Sequence, residues 1–115
     1  GIIKGEVLKL PVNNGIKLPH ISWNEIVESN INWKNTILDN IKNKTDLYFV
    51  HSYAAFPVNQ KEILSKTNYY NVDFCSSVKK NNVYGCQFHP EKSSLKGLKI
   101  IKNFIKICEQ EKKYQ

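Results

Sequence analysis

Arginine and methionine are both missing from the 115 residues. All 17 basic side chains are lysine, set against 10 acidic ones for a formal net charge of +7. Arginine is the planar fork that reads bases and clamps phosphates. Lysines spread along the chain, mostly beside Asn and Ile, therefore read as A/T-rich codon composition rather than as a nucleic-acid surface. No basic start followed by a continuous apolar run occupies Gly1 to Leu10, so no signal peptide is expected. No apolar run approaches the ~18 residues a membrane helix needs. The absence of methionine, with a start at Gly1, leads to the expectation that residues precede this segment. Cysteine is scarce and odd in number: Cys75, Cys86 and Cys108 show no disulfide-like spacing. Reduced thiols in the cytoplasm are expected. Only Cys86 and His89 approach zinc-ligand spacing, and two ligands do not make a site. No repeat, low-complexity stretch or Pro/Gly-rich linker divides the chain, so it reads as one domain or a piece of one.

Within those limits 41% of the residues are hydrophobic, enough to form a core. Glu6 to Leu10 alternates as a strand does, and "PVNNG" after it is a turn. "IKLPHISWN" is short and extended. Asn30 to Lys44 is polar with scattered apolar residues, and loop and short helix both remain open. "DLYFVHSY" carries four consecutive apolar or aromatic residues, the pattern of a strand buried on both faces. "EILSKT", "VDFCSSV" and "NNVYGCQF" are three further strands joined by short turns. The period then changes. Leu95, Leu98, Ile101, Phe104, Ile105 and Cys108 fall on one face of a predicted helix over 95–109, with Lys96, Lys99, Lys102 and Lys106 on the wet side. Ser93 or Ser94 is its predicted N-cap. Several strands followed by a closing amphipathic helix make the chain α/β in kind.

The chemistry-bearing stretch is "YGCQFHPEKS" from Tyr84 to Ser93. In an extended segment residues two apart share a side, so His89 and Glu91 lie together. Pro90 disfavours helix at His89 and removes a ladder donor, which ends the strand there. A carboxylate beside a histidine fixes its tautomer and stabilises the imidazolium, which is the base-and-orienter half of a nucleophilic triad. The same spacing also suits an ordinary His and Glu on a surface turn. Cys86 does not complete the triad. A nucleophilic thiol of this class stands on a glycine-flanked strand-to-helix turn. Cys86 has Gly85 before it but Gln87 and Phe88 after it, and its odd separation from His89 points it to the opposite face. Cys75 lies in a strand without an adjacent glycine, and Cys108 falls on the predicted buried stripe of the helix. All three read as packing residues.

"YGCQFHPEKS" closely resembles the segment that carries the catalytic His and Glu in class I (triad-type) glutamine amidotransferases. "PHISWN" is similar to the P-H-x-G-W-N signature of one branch, "YFVHSY" to its Y-F-V-H-S-Y, and "GLKIIKNF" to its closing helix. That branch is the HisH-like glutaminase subunits of imidazole glycerol phosphate synthase, and the four motifs occur in family order. The resemblance implies the C-terminal half of a flavodoxin-like α/β domain. It also implies hydrolysis of glutamine to glutamate and ammonia without a cofactor or metal. His89 and Glu91 would be catalytic, and Ser52 and Tyr53 would hold the amino-acid end of glutamine. Ammonia would pass to a HisF-like (β/α)8-barrel synthase, with His20, Trp23, Asn24 and Lys92 near that interface. From the residues alone, Ser52 and Tyr53 also read as strand-end residues and Trp23 as a core residue.

The departures are specific. Ser22 stands where the family usually has Gly, Ala54 and Ala55 follow "HSY", and Cys86 replaces the usual Val. The glycine-flanked nucleophile and the Gly-rich oxyanion loop have no counterpart in the 115 residues, and "GIIKGEV" resembles the point where the family resumes after the nucleophile's helix. The expectation is a partial domain over 1–115, inactive by itself. Ammonia donation to a sugar-aminating enzyme and a non-catalytic docking relic are the alternatives.

Overall fold

The computed structural model describes residues 1–112. It contains seven strands and one long helix: β1 (Gly5–Lys9), β2 (His20–Glu28), β3 (Thr45–His51), β4 (Tyr53–Pro57), β5 (Ile63–Tyr69), β6 (Val72–Lys80), β7 (Val83–Cys86) and α1 (Ser94–Lys112). Every strand pairing is antiparallel. The order is β1-β4-β6-β5-β2-β3, and β7 also pairs with β6. β6 is shared lengthwise, since Cys75 meets β4 whereas Ser77 to Lys80 meet β7.

Turn chemistry explains the hairpins. Tyr70 and Asn71 join β5 to β6 with φ of 47° and 65°, the left-handed pair of a tight two-residue hairpin. Asn81, at φ 55°, begins the turn between β6 and β7. Asn30 to Lys44 resolves as turns without a helix, yet it buries Trp33, Ile37, Leu38 and Ile41. Trp33 Nε1 donates to the Leu64 carbonyl at 2.7 Å. Asn103 Nδ2 of α1 donates to the carbonyls of Ile37 and Asp39, both at 2.9 Å. These bonds hold the loop between the sheet and α1.

Two expectations are corrected. β3 is not buried on both faces: Leu47, Phe49 and His51 point into the core while Tyr48 and Val50 are half-buried. Antiparallel pairing with β2 leaves β3 one dry face, as alternation allows. The consecutive buried residues instead lie on β5 (Ile63, Leu64, Ser65) and β6 (Phe74 to Ser77).

The second correction concerns α1, which turns a different face inward. It packs through Gly97 and Ile100, with Asn103 and Ile107 half-buried below them. The predicted stripe stands open instead, with Leu95 78%, Leu98 46%, Phe104 44% and Ile105 50% exposed, and Cys108 is exposed too. The helix carries apolar residues around most of its circumference, so periodicity did not select the face. Close approach selects it: a Cβ at Gly97 would collide with the Pro90 carbonyl oxygen. Val7 and Leu8 of β1 are also exposed, so that strand has no covered face here. No helix among the described residues is long and apolar enough to cross a membrane.

Candidate active site

Residues 87–93 cross from one strand pair to another, and the crossing places the histidine. Gln87 N–H continues the ladder to the Ser76 carbonyl at 2.9 Å. Two residues later His89 N–H donates to the Tyr48 carbonyl at 3.0 Å, on the edge of β3 that β2 leaves free. A 3-10 turn, Pro90–Lys92, follows directly, with proline at its first position. Ser93 or Ser94 was expected to cap α1, and the position falls to Ser93, since the helix begins at Ser94. Its hydroxyl is used differently: it donates to the His89 carbonyl at 2.6 Å and accepts from Tyr48 N–H at 3.0 Å. With 1% exposure, Ser93 clips the His89 segment to β3.

His89 and Glu91 are adjacent in space. His89 Nδ1 lies 3.2 Å from Glu91 Oε2, with side-chain exposures of 37% and 56%. The carboxylate accepts from Nδ1–H, which leaves Nε2 directed away to exchange a proton with another group. This is the geometry of a base with its orienter.

None of the three thiols lies against His89. Cys75 is buried, its Sγ–H donates to the Ser77 carbonyl at 3.2 Å, and burial pushes its pKa up to about 11. Cys86 is exposed at the end of β7, opposite Ser77. Cys108 is exposed near the far end of α1, ~21 Å along the axis from Ser94 at 1.5 Å per residue. Burial excludes Cys75 and distance excludes Cys108 as the thiolate partner of this base, and desolvation of the Cys86 thiol pushes its pKa up to about 12, against thiolate formation.

The other two histidines form a buried pair that the sequence did not disclose. His20 (β2) and His51 (β3) are cross-strand partners, 0% and 8% exposed, with His20 Nδ1 2.9 Å from His51 Nε2. His20 lies between Phe49 and Tyr69, with centroids 5.2 Å and 4.1 Å away. Burial, and then the neighbouring His51, lower the pKa of His20 to about 4. Burial also lowers that of His51; its bond to the Tyr53 carbonyl acts in the opposite direction, and His89 lowers it further.

Ser52 is half-buried at the break between β3 and β4, and Tyr53 is 56% exposed. Of the residues associated with an interface, Trp23 is 51% exposed and packs edge-on to Tyr48 at 5.9 Å. Lys92 is exposed and Asn24 half-buried. His20 is fully buried behind them, so it reaches a partner only through the residues that cover it.

An antiparallel sheet closed by a helix thus holds a His–Glu pair where a strand ends. The family model Glutamine amidotransferase class-I matches residues 5–108, and the chain belongs to that family. Among its curated relatives, the imidazole glycerol phosphate synthase subunit HisH of Pelagibacter ubique is 49% identical over 108 residues, spanning 93% of this chain and 50% of that protein. The HisH protein from Aquifex aeolicus is 44% identical over 113 residues, spanning 96% and 50%. A solved structure from Thermoplasma acidophilum, described as one subunit of a GMP synthase, shares the fold with a TM-score of 0.67 at 18% identity, over 96% of this chain and 52% of that one. The chain spans about half the length of the curated relatives it matches.

Proposed function

We propose that this chain carries the base and orienter of a glutaminase that hydrolyses glutamine to glutamate and ammonia for imidazole glycerol phosphate synthesis. The observation that carries this reading is the 3.2 Å His89–Glu91 pair at a strand end, in a chain of this family. A thiolate from a segment outside these 115 residues attacks the side-chain amide and forms a thioester through an oxyanion intermediate. His89 takes the thiol proton, returns it to the departing ammonia and then activates water. Glu91 holds the His89 ring, and Ser52 and Tyr53 receive the amino-acid end of glutamine. Residues 1–115 are then the C-terminal half of the domain. The half-length match and the exposed apolar face of α1 support this division.

Ammonia passes to a HisF-like (β/α)8-barrel synthase. Trp23, with Ile21 and Tyr70 exposed beside it on the rim of one cavity, supplies an aromatic anchor of the kind enriched at interface centres. Asn24 and Lys92 flank the docking face, and His20 supports it from below.

The test uses the chain combined with a nucleophile-bearing half and the synthase. His89→Ala should abolish glutamine-dependent turnover, and Glu91→Gln should weaken it less. Both should leave turnover with saturating ammonia intact. An equal fall with ammonia would make the two residues structural and defeat the assignment.

A further inference from the structure

The buried histidine pair has a defined polarity, because both ends of its hydrogen-bond chain are fixed. At one end the Tyr53 carbonyl can only accept. His51 Nδ1, 3.0 Å away, must therefore carry the proton. At the other end the Asn24 amide is oriented by two independent bonds. Its Oδ1 accepts from Glu25 N–H at 2.8 Å and its Nδ2 donates to the Asn68 carbonyl at 2.8 Å. The same Nδ2 lies 3.3 Å from His20 Nε2, which must therefore accept. Ser22 Oγ, 3.0 Å from that nitrogen, donates to it as well. Neutral rings then have a single consistent arrangement: His20 Nδ1–H donates to His51 Nε2, and His51 Nδ1–H donates to Tyr53. A proton added to either ring would set N–H against N–H or against the Asn24 amide.

The carbonyl at the end of this chain has no strand partner on the β1 side. Leu10 N–H donates to the Ser52 carbonyl at 2.9 Å, so Leu10 and Ser52 form a hydrogen-bonded pair. Alternation makes the next pair, Lys9 and Tyr53, a non-hydrogen-bonded one and turns the Tyr53 carbonyl away from β1. His51 supplies the missing donor. The backbone at the Ser52–Tyr53 corner is thus held by the Leu10 amide on one carbonyl and by a buried imidazole on the next.

We propose that His51 is a positioning residue for the glutamine-binding corner Ser52–Tyr53, with Ser22, Asn24 and His20 setting its tautomer. This rests on the reading that the corner receives the amino-acid end of glutamine. Ser22 stands where the family usually has glycine, so this chain has a second donor at the head of the relay that a glycine cannot give.

The experiment has two arms, both on the complete glutaminase that contains this chain. Nitrogen-15 NMR of labelled histidine reads the tautomers directly. His20 and His51 should each show a protonated Nδ1 and a bare Nε2 at neutral pH, and an Nε2–H tautomer or an imidazolium at either position overturns the relay. Steady-state kinetics read the positioning. His51→Leu should raise the glutamine KM about tenfold with a smaller change in kcat, the loss of one hydrogen bond to the binding corner. His51→Asn, whose amide can replace Nδ1–H, should recover most of that loss. Ser22→Ala is half-buried and safe for folding, and should raise KM about twofold because Asn24 still donates. An unchanged KM in His51→Leu overturns the positioning role while leaving the glutaminase reading intact. A wild-type protein that hydrolyses no glutamine removes both.

Discussion

Ser93→Ala should separate the His89 segment from the sheet. The Ser93 hydroxyl is 1% exposed and makes two bonds, to the His89 carbonyl at 2.6 Å and from Tyr48 N–H at 3.0 Å. Without it the His89 carbonyl keeps a second donor, Lys92 N–H at 3.0 Å. Tyr48 N–H does not, because it faces the edge of β3 away from β2. An orphaned buried donor costs about 1–3 kcal/mol, and for the part-buried Tyr48 N–H the lower end of that range sets the expected loss of stability. The functional effect is separate. Without the clip, His89 is held to β3 by one bond alone, its own N–H to the Tyr48 carbonyl, and a displacement of ~1 Å at a catalytic group can cost about 10²-fold in rate. Urea unfolding and glutamine turnover of the reconstituted enzyme measure the two effects. Ser93→Ala with wild-type stability and turnover would refute the claim that this hydroxyl positions the site.

Gly97→Ala should be worse than a helix propensity scale suggests, since its Cβ collides with the Pro90 carbonyl; a loss of about 1–3 kcal/mol and a displaced His89–Glu91 pair are expected by unfolding and turnover assays. The protein should weaken in mild acid. His20 drops from 6.5 to about 4 on folding, so the folded state binds fewer protons, and its contribution is complete above about pH 6.5 and declines toward pH 4. That amounts to about 2 kcal/mol by pH 5, read from urea midpoints at pH 7 and 5, and a flat profile would contradict the buried neutral pair. Leu98→Glu together with Ile105→Glu should make the isolated chain less prone to aggregation yet abolish reconstitution with the nucleophile-bearing half; gel filtration and turnover report the two effects.

Most strands and the adjacency of His89 and Glu91 were legible because they depend on local rules: period-2 patterning, turn residues, and a proline that ends an extended segment; β4 was not, because "DLYFVHSY" reads as one strand and only the break at Ser52 divides it. The inward face of α1 was not, because apolar residues surround much of that helix and the choice depends on how closely Gly97 approaches Pro90. The role of Ser93 escaped notice for a similar reason. A serine before a helix reads as a cap, and only the crossing of 87–93 to β3 reveals Tyr48 N–H as a competing partner. The His20–His51 pair is 31 residues apart in sequence and is joined only by the β2–β3 register. The one sequence signal available was that each histidine lies in a strand-forming motif, "PHISWN" and "YFVHSY". Those motifs suggested a partner surface and a substrate corner rather than a shared core.

The central claim is that His89 and Glu91 serve a thiolate lying outside this chain. The direct measurement is covalent trapping with a glutamine-mimicking chloroketone, followed by peptide mapping, on this chain alone and on the reconstituted enzyme. The account predicts no label on the chain alone. In the reconstituted enzyme it predicts a single labelled cysteine outside residues 1–115, with labelling suppressed by His89→Ala. Glutamine-protectable labelling of Cys75, Cys86 or Cys108 would contradict it.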